Sequence, residues 1–356
     1  MDLTKFVRIE ILKMEEYITV PSFWDLGKDV IKLDAGENPY GFSPRINKAL
    51  AEYKYFNYYP DPTYKELRKV LGSYVGVRIE NIMVGSGSDE LLDLTLRLFL
   101  NQGDKVINCP PTFGMYTLLT TLNKGTLVSV PRNEDFSLDI KNIKENIDKK
   151  VKVIIICNPN NPTGTVCREK EIIDLLRSGK IIIVDEAYFE FYGKTVVSLI
   201  KKYDNLIVLR TLSKWAGIAG LRLWYAIASP FLIKQLLKIK SPYNVNLAAE
   251  VAGKVALSDL NQSKFIIQKI IKERERVYGQ LQKVPYLVVY PSKANFLFVK
   301  VNRNFQQLKA FLKSKKIALR FYDSDITDKA IRISIGKTEQ NNQMIKAIKE
   351  FKYEKN

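Results

Sequence analysis

The sequence predicts an α/β protein in which a mainly parallel seven-stranded sheet is covered by helices and a smaller α+β domain follows. Two observations predict this fold. From about residue 80 to 230, short apolar runs rich in β-branched residues alternate with amphipathic helical patterns. Several of these runs are apolar on both faces, which is typical of parallel strands buried between two layers of helices.

The strands and helices of the predicted sheet follow one another along the chain. The strand segments are NIMVG, KVINC, TLVSV, VKVIIIC, KIIIVDEA, NLIVLR and LRLWYAIAS. The helical segments between them are SDELLDLTLRLFL, FGMYTLLTTL and REKEIIDLLRS. Ligands of such sheets bind beyond the carboxyl ends of the strands, so the residues that follow each strand are the candidate site residues.

The pattern changes after residue 236. A long helical region over 246–284 precedes the strand segments PYLVVYP, NFLFVKV, IALRFY and IRISIG, with helices near 305–315 and 338–351. We therefore divide the chain into three parts. They are an N-terminal segment, 1–45, that packs on the small domain or on a partner subunit; a large domain, 46–240; and a small α+β domain, 241–356.

The composition excludes several classes of site. The 356 residues include no histidine, so zinc sites and Ser-His or Cys-His nucleophiles are nearly excluded, and we predict no metal. Three cysteines without metal-ligand spacing indicate a reducing compartment rather than a disulfide framework. No apolar run is long enough to span a bilayer, and the first residues lack the apolar core of a signal peptide. We expect a cytoplasmic protein.

The formal net charge of +18 has more than one interpretation. Nucleic acids and acidic substrates both attract a basic protein. The lysines, however, are spaced through amphipathic stretches such as FLIKQLLKIK and FIIQKIIKERERVYGQLQK, as on solvated helix faces. Aromatic and basic residues are not interleaved in the manner of RNA-binding segments, so we expect neither a nucleic-acid nor a membrane partner.

The first candidate site residues follow NIMVG and KVINC. Ser88 and Asp89 lie in GSGSDE, where small residues open a helix whose free N–H groups favour an anion such as phosphate. The alternative is that either side chain only caps the helix. In CPPTFGMY, Phe113 is suited to stacking on a planar ring, although an aromatic side chain in such a place more often belongs to the core.

The next two strand ends carry an amide and a carboxylate. NPNNPTG makes a rigid turn, which does not by itself require two adjacent asparagines, so we expect a side-chain amide to reach a ligand. Asp185 and Tyr188 follow KIIIV, and a buried carboxylate needs a partner. A metal ion or a protonated ring nitrogen would serve, and the absence of a GxxxxGK[ST] sequence weakens the metal alternative.

The stretch TLSKWAGIAGLR after NLIVLR combines an amine, hydroxyls and a guanidinium. In a dry pocket Lys214 would shift toward the neutral amine, the form that attacks carbonyls. Thr211, Ser213 and Arg222 would donate hydrogen bonds to a phosphate. An exposed surface lysine is the alternative, but the alignment of five strand ends favours a phosphorylated aldehyde held as an imine.

These motifs, in this order, resemble the fold-type I pyridoxal-phosphate-dependent aminotransferases of the class I/II superfamily. GENPYG, NYYPDP and IRISIGKTEQN extend the resemblance, which covers about residues 30 to 350 and is nearest to the histidinol-phosphate aminotransferase family. It implies pyridoxal 5′-phosphate as the cofactor, bound to Lys214 through an imine. The same lysine would then move the proton between the substrate's Cα and the cofactor.

The resemblance also implies roles for the other candidate residues. Asp185 would pair with the ring nitrogen, and Asn161 and Tyr188 would hydrogen-bond the phenolic oxygen of the ring. Phe113 would stack on the ring. Tyr59 would reach the cofactor phosphate of the neighbouring subunit, which implies a homodimer. The residues implied at the phosphate within the subunit are Ser88, Asp89, Thr211, Ser213 and Arg222.

The substrate contacts follow from the same resemblance. Arg332 would hold an α-carboxylate, with the backbone of Gly36 nearby. Arg320 and Tyr17 are candidates for the substrate's phosphate.

Three residues depart from the family's pattern and leave the substrate open. Gly36 leads the ENP sequence, Trp224 stands where a glycine is common, and Trp215 is bulkier than the usual residue. The function implied is transfer of the amino group of L-histidinol phosphate to 2-oxoglutarate, giving imidazole-acetol phosphate and L-glutamate in histidine biosynthesis. The alternatives are an aromatic amino-acid aminotransferase, a threonine-phosphate decarboxylase and, from another class, a basic nucleic-acid-binding protein on the same scaffold.

Overall fold

The computed structural model describes residues 1–14, 16, 25, 27, 29–324, 327 and 329–351. The larger of its two sheets contains seven strands. Its order is β2-β8-β7-β6-β5-β3-β4. The strands are β2 (Ile82–Ser86), β3 (Lys105–Asn108), β4 (Thr126–Ser129), β5 (Val151–Cys157), β6 (Ile181–Asp185), β7 (Leu206–Thr211) and β8 (Leu223–Ala228). Strands β5 to β8 are buried and carry apolar residues on both faces, as strands between two layers of helices do. The mainly parallel seven-stranded sheet predicted from the sequence is confirmed.

The strands β3 to β7 run parallel, so their carboxyl ends meet at one edge of the sheet. β8 runs antiparallel to both of its neighbours, β7 and β2. The chain therefore leaves β7 and enters β8 at this same edge. Cys157 and Asp185 are directly opposite each other in the β5–β6 register, so both lie at the edge where ligands bind.

The smaller sheet has the order β1-β11-β12-β10-β9. Its strands are β1 (Ile31–Leu33), β9 (Leu287–Tyr290), β10 (Phe296–Val301), β11 (Ile317–Tyr322) and β12 (Ala330–Ser334). β1, from the N-terminal segment, pairs in parallel with β11, and the other neighbours are antiparallel. The division of the chain at residues 45 and 240 stays a prediction.

Helices surround both sheets. In chain order they are α1 (Ile9–Leu12), α2 (Pro44–Glu52), α3 (Lys65–Val75), α4 (Gly87–Phe99), α5 (Met115–Leu122), α6 (Ile140–Glu145), α7 (Glu169–Leu176), α8 (Phe189–Tyr192), α9 (Pro230–Ile239), α10 (Leu247–Ser258), α11 (Leu260–Leu281), α12 (Phe305–Ser314) and α13 (Thr338–Glu350). No helix in the described ranges is both long and apolar enough to cross a membrane.

The long helical region expected over 246–284 is two helices, α10 and α11. Asp259 between them has non-helical backbone angles (φ −119°, ψ 50°), which interrupts the helical hydrogen bonds. Its carboxylate accepts a hydrogen bond from the Ser43 hydroxyl at 3.0 Å and lies 3.8 Å from the Arg45 guanidinium. The break between α10 and α11 is thus accompanied by contacts with the start of α2. The sequence did not predict the break, because contacts between segments distant in sequence leave no trace in local periodicity.

A buried ion pair stabilises the strands next to the candidate site. Glu186 and Arg210 are fully buried, with the carboxylate 2.8 Å from the guanidinium. The carboxylate also accepts hydrogen bonds from the Thr195 hydroxyl and from the backbone N–H of Val196. The guanidinium lies 3.6 Å from the ring centroid of Phe189. The pair joins β7 to the residue that follows Asp185.

We expect Glu186→Ala to lower the free energy of unfolding by about 3–5 kcal/mol, because it leaves the Arg210 guanidinium buried without its counter-charge. Urea denaturation at fixed protein concentration measures this loss. The control is Glu52→Ala, which removes an exposed partner of Lys48 and should change stability by less than about 0.5 kcal/mol. Equal effects of the two substitutions would contradict a structural role for the buried pair.

Candidate active site

A cavity of about 430 Å³ lies beyond the carboxyl ends of the larger sheet and is closed by residues of the smaller sheet. Most of the residues singled out in the sequence line it. These are Ser88, Asp89, Phe113, Asn161, Asp185, Tyr188, Ser213, Lys214, Arg222, Arg320 and Arg332. They come from seven different segments of the chain, and the sheet edge brings them together.

Lys214 lies in the connection between β7 and β8, with its side chain lining the cavity. Its Nζ donates a hydrogen bond to the backbone carbonyl of Ala35 at 2.9 Å. Burial, together with the nearby positive charge of Arg332, lowers the pKa of the Lys214 ammonium to about 8. A substantial fraction of this amine is therefore neutral near physiological pH, as a nucleophile or a base requires.

Asp185 is the last residue of β6 and is 2% exposed. One carboxylate oxygen accepts the backbone N–H of Ala187 at 3.0 Å, and the other accepts the hydroxyl of Tyr116 at 2.8 Å. Burial raises the pKa of Asp185 to about 6, against the opposing effect of these hydrogen bonds. No lysine or arginine among the described residues forms an ion pair with it, so the carboxylate is suited to pair with a cationic ligand.

The start of α4 and the connection before β8 form a cradle for an anion. Ser88 and Asp89 lie in the first turn of α4, whose free N–H groups favour negative charge. The Ser213 hydroxyl is buried and has no hydrogen-bond partner. Arg222 adopts a left-handed backbone conformation, and its guanidinium is 3.4 Å from the Asp89 carboxylate.

Gly87 makes this cradle possible. Its φ is +95°, and a Cβ at this position would lie 2.6 Å from an Arg222 nitrogen. Only glycine fits both the backbone angle and the close approach of the guanidinium. An unpartnered buried hydroxyl, a guanidinium and helix N–H groups are the donor set that a phosphate requires, so the cradle fits the phosphate of pyridoxal phosphate.

Arg332 and Arg320 form a cationic wall opposite the sheet edge. They are directly opposite each other in the β11–β12 register, and both line the cavity. Arg332 donates to the Asn161 amide oxygen at 2.7 Å and to the backbone carbonyl of Asp34, while its Nε is buried without a partner. Like charges opposite each other in a sheet are unfavourable, and bound anions would offset their repulsion.

The ring-binding candidates surround the same space. Asn161 is buried in the rigid turn after β5, and Tyr188 packs edge-on against Phe296 with ring centroids 5.0 Å apart. Phe113 lies at the cavity wall and meets Tyr116 at a ring separation of 5.5 Å. The cavity lining therefore combines aromatic rings with polar groups, which suits a planar heteroaromatic ring.

Three predicted site residues lie outside the cavity lining. Thr211 is fully buried, and its hydroxyl accepts the Ser213 N–H and donates to the Leu223 carbonyl, so it braces the turn that carries Ser213. Gly36 has φ +63°, its N–H donates to the Ser334 hydroxyl, and its carbonyl accepts from the Asn295 side-chain amide. Tyr59 is 78% exposed and stacks on Tyr243 at 4.4 Å.

Three further residues named from the sequence are Tyr17, Trp224 and Trp215. Tyr17 lies outside the described residues. Trp224 lines the cavity beside Arg222, whereas Trp215 is buried and stacks on Tyr74 at 5.8 Å. Trp224 thus fills space in the cavity wall, and Trp215 belongs to the core behind Lys214.

Two contacts of the site were not foreseen from the sequence. Tyr116 donates to Asp185, and the carbonyl of Ala35 accepts from Lys214. Tyr116 lies in the first turn of α5, three residues after Phe113, and no sequence signal directs its hydroxyl to Asp185. No sequence signal marks Ala35, because its contribution is a backbone oxygen.

Comparisons with known proteins find relatives over nearly the whole chain. The sequence model of the family described as aminotransferase class I and II matches residues 28–348. The chain is 42% identical to histidinol-phosphate aminotransferase of Dehalococcoides mccartyi, over 98% of this chain and 99% of that protein.

Solved structures show the same fold. The histidinol-phosphate aminotransferase from Clostridium acetobutylicum superimposes with a TM-score of 0.83 at 28% identity, over 89% of this chain and 98% of that one. The Sinorhizobium meliloti histidinol-phosphate aminotransferase in complex with pyridoxal-5′-phosphate superimposes with a TM-score of 0.88 at 22% identity, over 96% and 97%.

In the cofactor-free protein we expect the Lys214 amine to become reactive with a midpoint near pH 8, because burial disfavours the ammonium form. Competitive acetylation over a pH series, followed by mass spectrometry of the peptide that contains Lys214, measures this midpoint. Arg332→Gln removes the neighbouring charge and should move the midpoint upward. A midpoint at the ordinary lysine value in the unsubstituted protein would contradict a dry pocket.

Proposed function

Because this chain belongs to the class I and II aminotransferases, and within them to the histidinol-phosphate aminotransferases, we propose that it transfers the amino group of L-histidinol phosphate to 2-oxoglutarate. The products are imidazole-acetol phosphate and L-glutamate, in histidine biosynthesis. The cofactor is pyridoxal 5′-phosphate. The observation that carries the proposal is the meeting of the Lys214 amine, the unpaired Asp185 carboxylate and the anion cradle in one cavity.

When bound, pyridoxal phosphate supplies an aldehyde that accepts the amino group and a ring that accepts electrons from the substrate's Cα. Asp185 would hold a proton on the ring nitrogen, since its carboxylate lines the cavity and no described lysine or arginine pairs with it. Asn161 and Tyr188 would donate to, or share a proton with, the phenolic oxygen. The cradle of Ser88, Ser213 and Arg222 would hold the phosphate.

Lys214 would first bind the cofactor through Nζ and then act as the base at the substrate's Cα. Its lowered pKa keeps Nζ able to accept that proton and to deliver it to the carbon that receives the amino group. The Ala35 carbonyl, which accepts a hydrogen bond from Nζ at 2.9 Å, would orient the amine between these two carbons.

The cationic wall supports a substrate that carries a phosphate. Arg332, buried and hydrogen-bonded to Asn161, is the candidate for the α-carboxylate of glutamate. Arg320, opposite it in register, is the candidate for the phosphate of histidinol phosphate. Phenylalanine carries no second anionic group, so a contact between Arg320 and the amino donor would favour the phosphorylated substrate over that alternative.

We also propose a homodimer with shared active sites. Tyr55, Phe56, Tyr58 and Tyr59 are exposed by 61%, 48%, 65% and 78%, and apolar rings of this kind are typical of subunit interfaces. Tyr59 would reach the cofactor phosphate of the second copy.

For the compartment we propose the cytoplasm, since Cys109, Cys157 and Cys167 are all buried and unpaired, as in a reducing environment.

The amino donor is tested by single-turnover mixing of the cofactor-loaded protein with each candidate, following the change in visible absorbance. We expect histidinol phosphate to react with a second-order rate constant at least about tenfold above that of phenylalanine, because a phosphate adds a charged hydrogen-bond acceptor. Arg320→Ala should reduce the rate with histidinol phosphate by about ten- to a hundredfold and the rate with glutamate by much less.

Arg177→Ala, at an exposed arginine paired only with Asp174, is the matched control and should change neither rate. Faster reaction with phenylalanine would replace the proposed donor by an aromatic one. Release of carbon dioxide from threonine phosphate would identify the decarboxylase alternative. Equal losses for both substrates in Arg320→Ala would remove Arg320 from the phosphate site.

Shared sites are tested with a hybrid dimer in which one chain carries Lys214→Ala and the other Tyr59→Ala, separated by two affinity tags. Each homodimeric variant should be impaired: Lys214→Ala should lose turnover, and Tyr59→Ala should bind the cofactor about ten- to a hundredfold more weakly. If Tyr59 acts across the interface, one of the two sites in the hybrid keeps both Lys214 and Tyr59. The hybrid should then show about half of the activity of the unsubstituted dimer. Activity no higher than that of the Tyr59→Ala protein would place Tyr59 within its own subunit's site.

A further inference from the structure

Tyr116 lies behind Asp185, outside the cavity lining and completely buried in α5. Its hydroxyl donates to one Asp185 oxygen at 2.8 Å, and the backbone N–H of Ala187 donates to the other at 3.0 Å. Its ring meets that of Phe113 edge-on at 88°, so one turn of chain carries both the ring at the cavity wall and the phenol behind the carboxylate. Each carboxylate oxygen thus accepts one hydrogen bond from the protein.

We propose that Tyr116 is a positioning residue that fixes Asp185 in its charged form, facing the ring nitrogen of the cofactor. This inference rests on the proposed pairing of Asp185 with that nitrogen. A hydrogen bond donated to a carboxylate stabilises the ionised form and fixes the direction of its remaining lone pairs. Tyr116 supplies the only side-chain hydrogen bond to Asp185 among the described residues.

The other charged and titratable groups around Asp185 cannot take this role. Asp89 and Glu186 are carboxylates, and each lies beside an arginine, at 3.4 Å from Arg222 and 2.8 Å from Arg210 respectively. Cys157 is opposite Asp185 in the sheet, but its thiol is directed at the Pro159 carbonyl. Burial raises the pKa of the Cys157 thiol to about 12, so it stays neutral.

A phenol has a specific advantage in this position. Burial, together with the charge of Asp185, raises the pKa of Tyr116 well above its ordinary value, so the donor keeps its proton throughout the physiological range. A histidine, which this chain lacks, would change its own charge near pH 6.5 and would add a second proton to the site. Tyr116 therefore supports the carboxylate without adding a titration.

The test measures binding of pyridoxal phosphate to the cofactor-free protein over a pH series, in parallel with the 1-deaza analogue, whose ring carries C–H in place of nitrogen. Tyr116→Phe should weaken binding of pyridoxal phosphate by about tenfold or more and leave binding of the analogue unchanged. Loss of the hydrogen bond raises the Asp185 pKa. The acid limit of tight binding, below which Asp185 is protonated, should therefore move upward by about one pH unit.

Two further variants make the result interpretable. Tyr286→Phe removes a buried phenol that donates to the Ile348 carbonyl, far from the cavity, and should change neither ligand's affinity. Tyr116→His replaces the phenol by a titrating donor, and should add a second pH step to binding even if Tyr116→Phe folds poorly.

The outcomes separate this inference from the proposed function. Equal weakening of both ligands by Tyr116→Phe, with selective weakening of pyridoxal phosphate by Asp185→Asn, would overturn the role of Tyr116 and leave Asp185 in place. If Asp185→Asn also failed to discriminate between the ligands, the pairing with the ring nitrogen would fall, and the inference with it. An unchanged acid limit in Tyr116→Phe would likewise overturn it.

Discussion

The buried carboxylate of Asp185 is the constraint around which the site is arranged. A carboxylate removed from water is costly unless it is paired, and here it has hydrogen bonds from Tyr116 and Ala187 but no cation partner among the described residues. The cost remains until a ligand brings a positive charge. The fold thus holds a buried carboxylate that a cationic ligand would stabilise, and the surrounding core must offset the cost of burying it.

The same reasoning applies to the opposite wall of the cavity. Arg320 and Arg332 are directly opposite each other on neighbouring strands, an arrangement that like charges disfavour. Both features violate local rules of stability, and both lie in one cavity. Proteins tolerate such violations mainly at functional sites, where a bound ligand can offset their cost. A carboxylate and two guanidiniums lining one cavity would suit a ligand that carries both a cationic and an anionic group.

Much of this arrangement was predictable from the sequence, because strand ends in a parallel sheet converge. The apolar runs alone predict that Asp185, Lys214 and Asn161 lie at one edge of the sheet. The hydrogen bond from Tyr116 was not predictable, since it depends on the rotation of α5 over the sheet. Nor was the register that pairs Arg320 with Arg332, nor the break at Asp259, because each is decided by contacts between segments distant in sequence.

The antiparallel direction of β8 has an evolutionary consequence. Because β7 ends and β8 begins at the same edge, residues 212–222 form one short loop anchored at both ends by strand pairing, from Thr211 opposite Trp224 onward. The amine and the guanidinium are carried on this loop, so inserting or deleting a residue within it would displace one relative to the other. Lineages that diverge in substrate preference are therefore expected to vary the length of other connections, and to conserve the length of this one while exchanging its side chains.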